Sequence, residues 1–380
     1  MRAAVDMHPS TSGRDVFNVQ PCLRDPVFHL IKDRWRMSPF GAAVLFFLAY
    51  FGGNLLFTAV SGTALPREGL DLSFLEDTVG LVLYGFVLPV GAFVALRFYT
   101  QAESAFERMH AEGLVSAPLD EYNRFLAKLH RGYNSTWAHL AALFLGLVVF
   151  GYLVCYSWSD DMASWLDWRM GPGAVYHLVV GLVAWYCVHI ILLKIIVTAW
   201  AIQRIFDWPV NIQPLHPDGC SGLQFLAQMA VTIAIFMAVA GMGVVLIVFA
   251  NTILFGRPAS AEPVLLAVLM ETLVPLVFFF CLYRAHRIMR SRKQALLRDA
   301  HERFQTHFLD LQEKLPQGED IDRSADEVLR LKAVHDLLRG LPVWPTNTQM
   351  LTQVLVSVAL PLGLLVLQVL LEQVVLGGPR

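Results

Sequence analysis

Residues 224–253 read QFLAQMAVTIAIFMAVAGMGVVLIVFANTI. A helix needs about 20 consecutive apolar residues to cross about 30 Å of hydrocarbon, and this stretch exceeds that length. Working outward, comparable apolar runs lie at residues 40–60, 78–98, 136–156 and 174–200 before it, and at 263–283 and 350–376 after it. Composition agrees: 56% of the 380 residues are hydrophobic and 16% charged, with a mean hydropathy of +0.53. Soluble domains are roughly 45–50% apolar and about 25% charged, so a single soluble globule is excluded. The expected class is an all-α polytopic membrane protein with seven transmembrane helices and the lipid bilayer as its first partner.

Lysine and arginine fix the expected orientation, because basic residues near span ends are retained on the cytoplasmic side. Six precede the first run, five lie from Arg97 to Arg131, one is Arg204, and twelve separate the sixth and seventh runs. That places 24 on one face. The other face holds Arg67, Arg169, Arg257 and Arg380, while Lys194 falls inside a run. The N-terminus is therefore expected inside and the C-terminus outside. The loops 65–77 and 157–173 are short, acidic and supplied with Trp158, Trp165 and Trp168, as interfacial belts are. The first 38 residues are polar and show no short apolar leader with a cleavage site, so the first run is expected to persist as a span. A cell membrane, of the bacterial inner-membrane kind, is the expected location.

The chain divides into an N-terminal segment (1–38), six spans (39–283) with a helical cytoplasmic loop (99–134), a cytoplasmic hairpin (284–348) and a seventh span (349–377). Within the first segment, Phe28, Ile31 and Trp35 recur at helical spacing opposite Lys32, Arg34 and Arg36. This reads either as an amphipathic helix at the headgroups or as a lead into the first span. Residues 284–315 lack Gly and Pro and should prolong the sixth span as one helix, with Phe304, Phe308, Leu311 and Leu315 as its stripe. Pro316-Gln317-Gly318 then breaks it. A second helix is expected from Ser324, capped with help from Glu327, to just before Gly340, with Val328, Leu331, His335 and Leu338 on one face. Together these pieces read as a small cytoplasmic helical bundle.

No P-loop, HExxH or CxxC motif occurs, and no cofactor or catalytic activity is expected. His139, His177 and His189 lie at three depths, which argues against paired haem ligands. Five cysteines are too few and scattered for a disulfide framework. A net charge of −2 makes nucleic acid an unsuitable partner. The loop NIQPLHPDGCSGL (211–223) offers His216, Asp218 and Cys220, but no second cluster completes a zinc site. A turn with Asp218 or Ser221 capping the following span is the simpler reading.

Ionisable groups inside spans are costly and so are functional candidates. Glu271, His189 and Lys194 qualify. Glu271 and His189 come within about 8 Å in depth at ~1.5 Å per residue, close enough for a relay contact. The plainer readings are a Glu271 that is neutral or paired in a packed interface and a Lys194 that snorkels to the headgroups. Pro89, Pro275 and Pro361 allow kinks near mid-span. On the seventh span, steps of about 100° per residue put Gln349, Gln353, Ser357, Gln368 and Glu372 on an arc of about 140°, with Leu360 and Leu364 between them and Thr352 off it. Such a face suits a cation path: an outer acidic ring at Glu372, amides along the wall and a leucine constriction. The same stripe would also serve a packed interface in which amides bond across helices.

In topology the chain resembles the seven-transmembrane ion channels that include insect odorant and gustatory receptors. The likeness rests on an inside N-terminus, an outside C-terminus, small external loops and a seventh helix split into a cytoplasmic piece (324–339) and a membrane piece (350–376). It implies a homo-oligomer with the last helix lining the pore; the match is one of topology and not of motif. The loop at 211–223 is similar to an HPDxxGGL-like loop of uncharacterised bacterial membrane proteins, which names no activity. The expected function is thus a channel or channel-like transport protein, or else a membrane sensor or scaffold acting through its cytoplasmic helices.

Overall fold

In a computed structural model, residues 25–158, 164–167, 171–212, 216–253, 261–314 and 321–376 are described. They form helices and no strand; two isolated bridges, Leu72 with Ser164 and Val115 with Val210, tie loops together. After a short turn of helix at Leu30–Arg34, we number the helices α1 (39–61), α2 (78–111), α3 (Leu119–Tyr133), α4 (Thr136–Trp158), α5 (Pro172–Ile205), α6 (Gln224–Ile253), α7 (Ala261–Lys314), α8 (Ile321–Arg339) and α9 (Thr348–Leu376). Seven spans among them are long and apolar enough to cross a membrane: α1, α2, α4 joined to α3, α5, α6, α7 and α9.

Local chemistry sets the helix starts. Ser38 accepts from the Gly41 amide at 3.1 Å with Pro39 at the first helical position, Asp77 accepts from Gly80, and Asn347 accepts from Met350 at 2.9 Å. Both α1 and α2 carry one π turn, at Leu48–Gly52 and Leu83–Val87. In α2 it lies just ahead of Pro89, which has no amide to offer the preceding turn, so the local rewinding goes with the proline.

The most buried helix is α6, packed against α2, α7 and α9, while α5 bridges α1 and α4. Residues 25–38, the α2–α3 turn and the loop residues 206–212 and 216–223 lie at one end, here the basic end, from which α7 runs on to its hairpin with α8. The loop 62–77 meets residues 164–167 at the opposite, far end. Helix α7 runs unbroken for 54 residues, as the absence of Gly and Pro from its second half foretells. Helix α8 folds back on it, with Val328, Leu331, His335 and Leu338 half-buried and His307 facing Glu327 at 3.3 Å. Phe308, expected on the buried stripe, is instead exposed, because Phe304, His307 and Leu311 form the covered face.

Other expectations change at element ends. Helix α8 already starts at Ile321, so Ser324 lies one turn inside it and is not its cap. The break at 316–318 lies outside the described residues. The segment read as a headgroup helix turns its apolar face inward: Phe28 and Ile31 are buried, and Phe28 stacks on Phe46 and lies against Tyr99. Trp35 alone of that trio stays exposed. Protein, not lipid, covers that face.

Candidate functional site

Helices α2, α4, α5 and α6, with Tyr50 of α1, line a half-open cavity of about 200 Å³ toward the far end. Its walls are mainly apolar: Val79, Leu83 and Val87 from α2, Phe150 and Val154 from α4, Ala184, Trp185 and Val188 from α5, and Phe236, Val239 and Ala240 from α6. Gly181 is needed where α5 meets α4, since a Cβ there would lie 2.7 Å from the Phe150 ring. Four polar side chains also reach the wall: Tyr50, Asp77, Tyr84 and His177.

The π turns deliver two of these. Tyr50 donates to the Val180 carbonyl at 2.9 Å, and the Ala49 carbonyl beside it accepts from Tyr176 at 2.5 Å. Tyr84 lies 3.2 Å from Nδ1 of His177. Above them sits Trp165, its ring edge-on to Phe74, Tyr84 and His177. Its backbone amide donates to Leu72 and its indole donates to Asp77 at 3.2 Å. Asp77 thus closes two jobs at once, capping α2 through Gly80 at 2.7 Å and holding the Trp165 plug. Burial pushes its carboxyl above the usual range, while the Gly80 amide and the Trp165 indole pull it back part of the way. Trp165, read from sequence as an interfacial belt residue, is only 1% exposed and is built into protein.

A second polar centre lies toward the basic end. Lys194 does not snorkel: its side chain is 1% exposed and its ammonium sits 3.0 Å from Oδ2 of Asp25, over the Tyr99 ring. Tyr99 donates to the same carboxylate oxygen. The other oxygen accepts from the amides of Val27 and Phe28, so one carboxylate both caps the short N-terminal helix and pairs with mid-span α5. Lys32 with Glu103 adds a second tie from that segment to α2.

Glu271 is fully buried where α7 crosses α6, and neither carboxyl oxygen has a hydrogen-bond partner among the described residues. It presses on Gly241, where a Cβ would clash with Oε1. His189 bonds instead to the Trp185 carbonyl of its own helix at 2.7 Å, so no His189–Glu271 hydrogen bond forms. Glu271 thus sits in a packed helix interface, unpaired among the described residues.

The stripe on α9 splits. Gln349, Gln353 and Leu360 are exposed, Ser357 and Leu364 are half-buried, and Gln368 is buried with its amide 3.5 Å from the Val248 carbonyl of α6. The Glu372 side chain lies outside the described residues. Met350, Val354, Pro361 and Gln368 define the covered face, centred to one side of the polar arc. Among the described residues, none of the stripe lines the cavity.

In the 211–223 loop Asp218 is a hub: it accepts from the amides of Cys220, Gly222 and Gln224 at 2.8, 3.1 and 3.2 Å and faces His216. Against the upward push of burial, the Gly222 and Cys220 amides and His216 hold its carboxyl below the usual range. Gly222 is at φ 86° and presses on Leu114, so the loop docks on the α2–α3 turn. Among the described residues, no three His, Cys, Asp or Glu side chains gather as a metal site.

In the sequence His177 and Trp165 stand out separately, with nothing to join them, and Tyr50, Asp77 and Tyr84 do not stand out as site residues. The one local signal is Asp77 directly before an apolar run, the pattern of an N-cap. No family model matches the chain, and neither a curated protein nor a solved structure matches it.

Proposed function

We propose that this is a ligand-binding integral membrane protein of the sensor class, with the far-end cavity as its binding site. The carrying observation is the cavity itself: half-open between four spans and Tyr50 of a fifth, mostly apolar, with four convergent polar side chains, the usual anatomy of a small-molecule site. Its α6 wall packs on α7, and α7 continues without a break into the hairpin with α8. A ligand that shifts α6 against α7 therefore acts on a rigid lever about 80 Å long at ~1.5 Å per residue. In this reading the basic end is cytoplasmic, the N-terminus inside and the C-terminus outside, in a cell membrane, as the 24-to-4 distribution of basic residues supports.

Filling the cavity tests the reading. Ala240→Phe and Gly243→Leu place bulk where the wall is open, and the Gly243 position has nothing nearer than 3.7 Å. Purified protein in nanodiscs should take up small aromatic alcohols saturably and gain thermal stability, about 2.7 kcal/mol at a hundredfold excess over Kd. Both variants should lose the saturable uptake while remaining folded. Uptake unchanged in both would remove the cavity as the site.

A second reading, a channel with α9 on the axis of a homo-oligomer, is favoured by the exposed face of Gln349, Gln353 and Leu360. An amide at that depth is better placed against water or a second copy than against lipid tails. Cation flux in liposomes, reduced by Gln353→Leu, tests it.

A further inference from the structure

The cavity's charge is unbalanced. Among the described residues lining it, Asp77 is the one acid, and no lysine or arginine is present. Asp77 is 7% exposed and has no ion-pair partner among the described residues. An ionised carboxylate offers about four acceptor positions, and the Gly80 and Val79 amides and the Trp165 indole occupy three of them. The other polar groups are already committed: the Tyr50 hydroxyl to a backbone carbonyl, Tyr84 and His177 to each other. The cavity wall is rich in aromatic side chains, with Tyr84, Phe150, Trp185 and Phe236 lining it and Trp165 packed behind Tyr84.

We propose that the cavity takes a hydrophobic amine, its ammonium group at Asp77 and its apolar body between α2, α5 and α6. This rests on the cavity being a binding site and adds the class of ligand. An anionic ligand would bring a second negative charge to a site with no cation. A neutral ligand leaves the buried acid to be relieved only by taking up a proton, whereas a cation compensates its ionised form directly. An ammonium group supplies both the opposite charge and a hydrogen-bond donor for the remaining acceptor position, and the Tyr84 ring on the wall attracts it further.

The test compares 4-phenylbutylamine with 4-phenylbutan-1-ol, near-isosteres that differ in charge at neutral pH. Binding is read by equilibrium dialysis against protein in nanodiscs of zwitterionic lipid. The amine should bind about tenfold more tightly than the alcohol, the scale of one charge-assisted hydrogen bond. Asp77→Asn should erase the preference and leave the alcohol's affinity within about threefold, since an amide oxygen still caps Gly80. If that variant does not fold, Ala240→Phe serves: it leaves Asp77 untouched and should abolish saturable binding of both probes. Alcohol binding equal to or better than amine binding would overturn the amine proposal while leaving the cavity as a site. An amine preference that survives Asp77→Asn or Ala240→Phe would also overturn it, as charge recognition elsewhere. Saturable binding of neither probe would overturn both the amine class and the sensor reading.

Discussion

At the scale of single residues, the buried pair of Asp25 and Lys194 holds the N-terminal segment to mid-span α5. Removing one partner leaves a charge in a dry interior, which costs about 3–5 kcal/mol, whereas removing both together costs far less. Lys194→Met alone should therefore lower the thermal unfolding midpoint sharply. Asp25→Asn with Lys194→Met should recover more than half of the loss, because an asparagine oxygen still caps Val27 and Phe28. Unfolding curves of the two single variants and the double variant in detergent decide the matter; strictly additive losses would mean that the pair is not coupled. Lys194 is conspicuous in the sequence as a costly charge within an apolar run. Its partner is not, because Asp25 lies 169 positions away in a polar stretch and no periodicity connects them. Asp77 and Trp165 are hidden for the same reason: 88 positions separate them, and each alone looks like ordinary loop chemistry.

At the scale of elements, the helices are legible because each apolar run is long and uniform, and a run of that length seldom serves any purpose but crossing lipid. The ends are less so. Helix α2 runs on to Ala111 past its apolar stretch, since Tyr99, Ala102, Phe106 and Met109 keep one buried face, with Phe28 against Tyr99 and Tyr122 and Phe125 of α3 against Phe106. The polar arc of α9 is a real pattern whose meaning depends on its neighbours: α6 covers a face rotated from it, so Gln368 is packed while Gln353 is not. Contact between α4 and α5 depends on Gly146, where a Cβ would meet the Tyr186 amide nitrogen at 3.2 Å. That neighbour is backbone and cannot swing away. Gly146→Leu should force the two helices apart and cost about 1–3 kcal/mol, the range for overpacking. Since α5 supplies His177, Ala184 and Trp185 to the cavity, hydrogen exchange should quicken in the middle of α4 and α5 and not in α7 or α9. Exchange unchanged in α5 would show that the approach is not structurally required.

At the scale of the whole molecule, the two functional readings differ in what lies against α9. A sensor that works as one chain leaves Gln353 and Leu360 facing lipid or headgroups; a channel closes copies of the chain around that face. The side chains beneath distinguish the cases, because Val354 and Gln368 are covered by the chain's own helices in either. Single cysteines at 353, 354, 360 and 368, in a background freed of the native thiols, should respond differently to a membrane-permeant oxidant. If copies surround α9, those at 353 and 360 should form disulfide-linked dimers, since equivalent positions near a symmetry axis approach one another. Those at 354 and 368 should not, being shielded within one chain. Cross-linking at 353 and 360 that also carries a loss of cation flux on oxidation would place the conducting path on the axis. Uniform failure to cross-link, with ligand binding intact, would leave the cavity and the α6–α7 lever as the working parts. The contrast does not depend on which end of the bundle faces the cytoplasm, because both exposed positions share one helix face and one depth range.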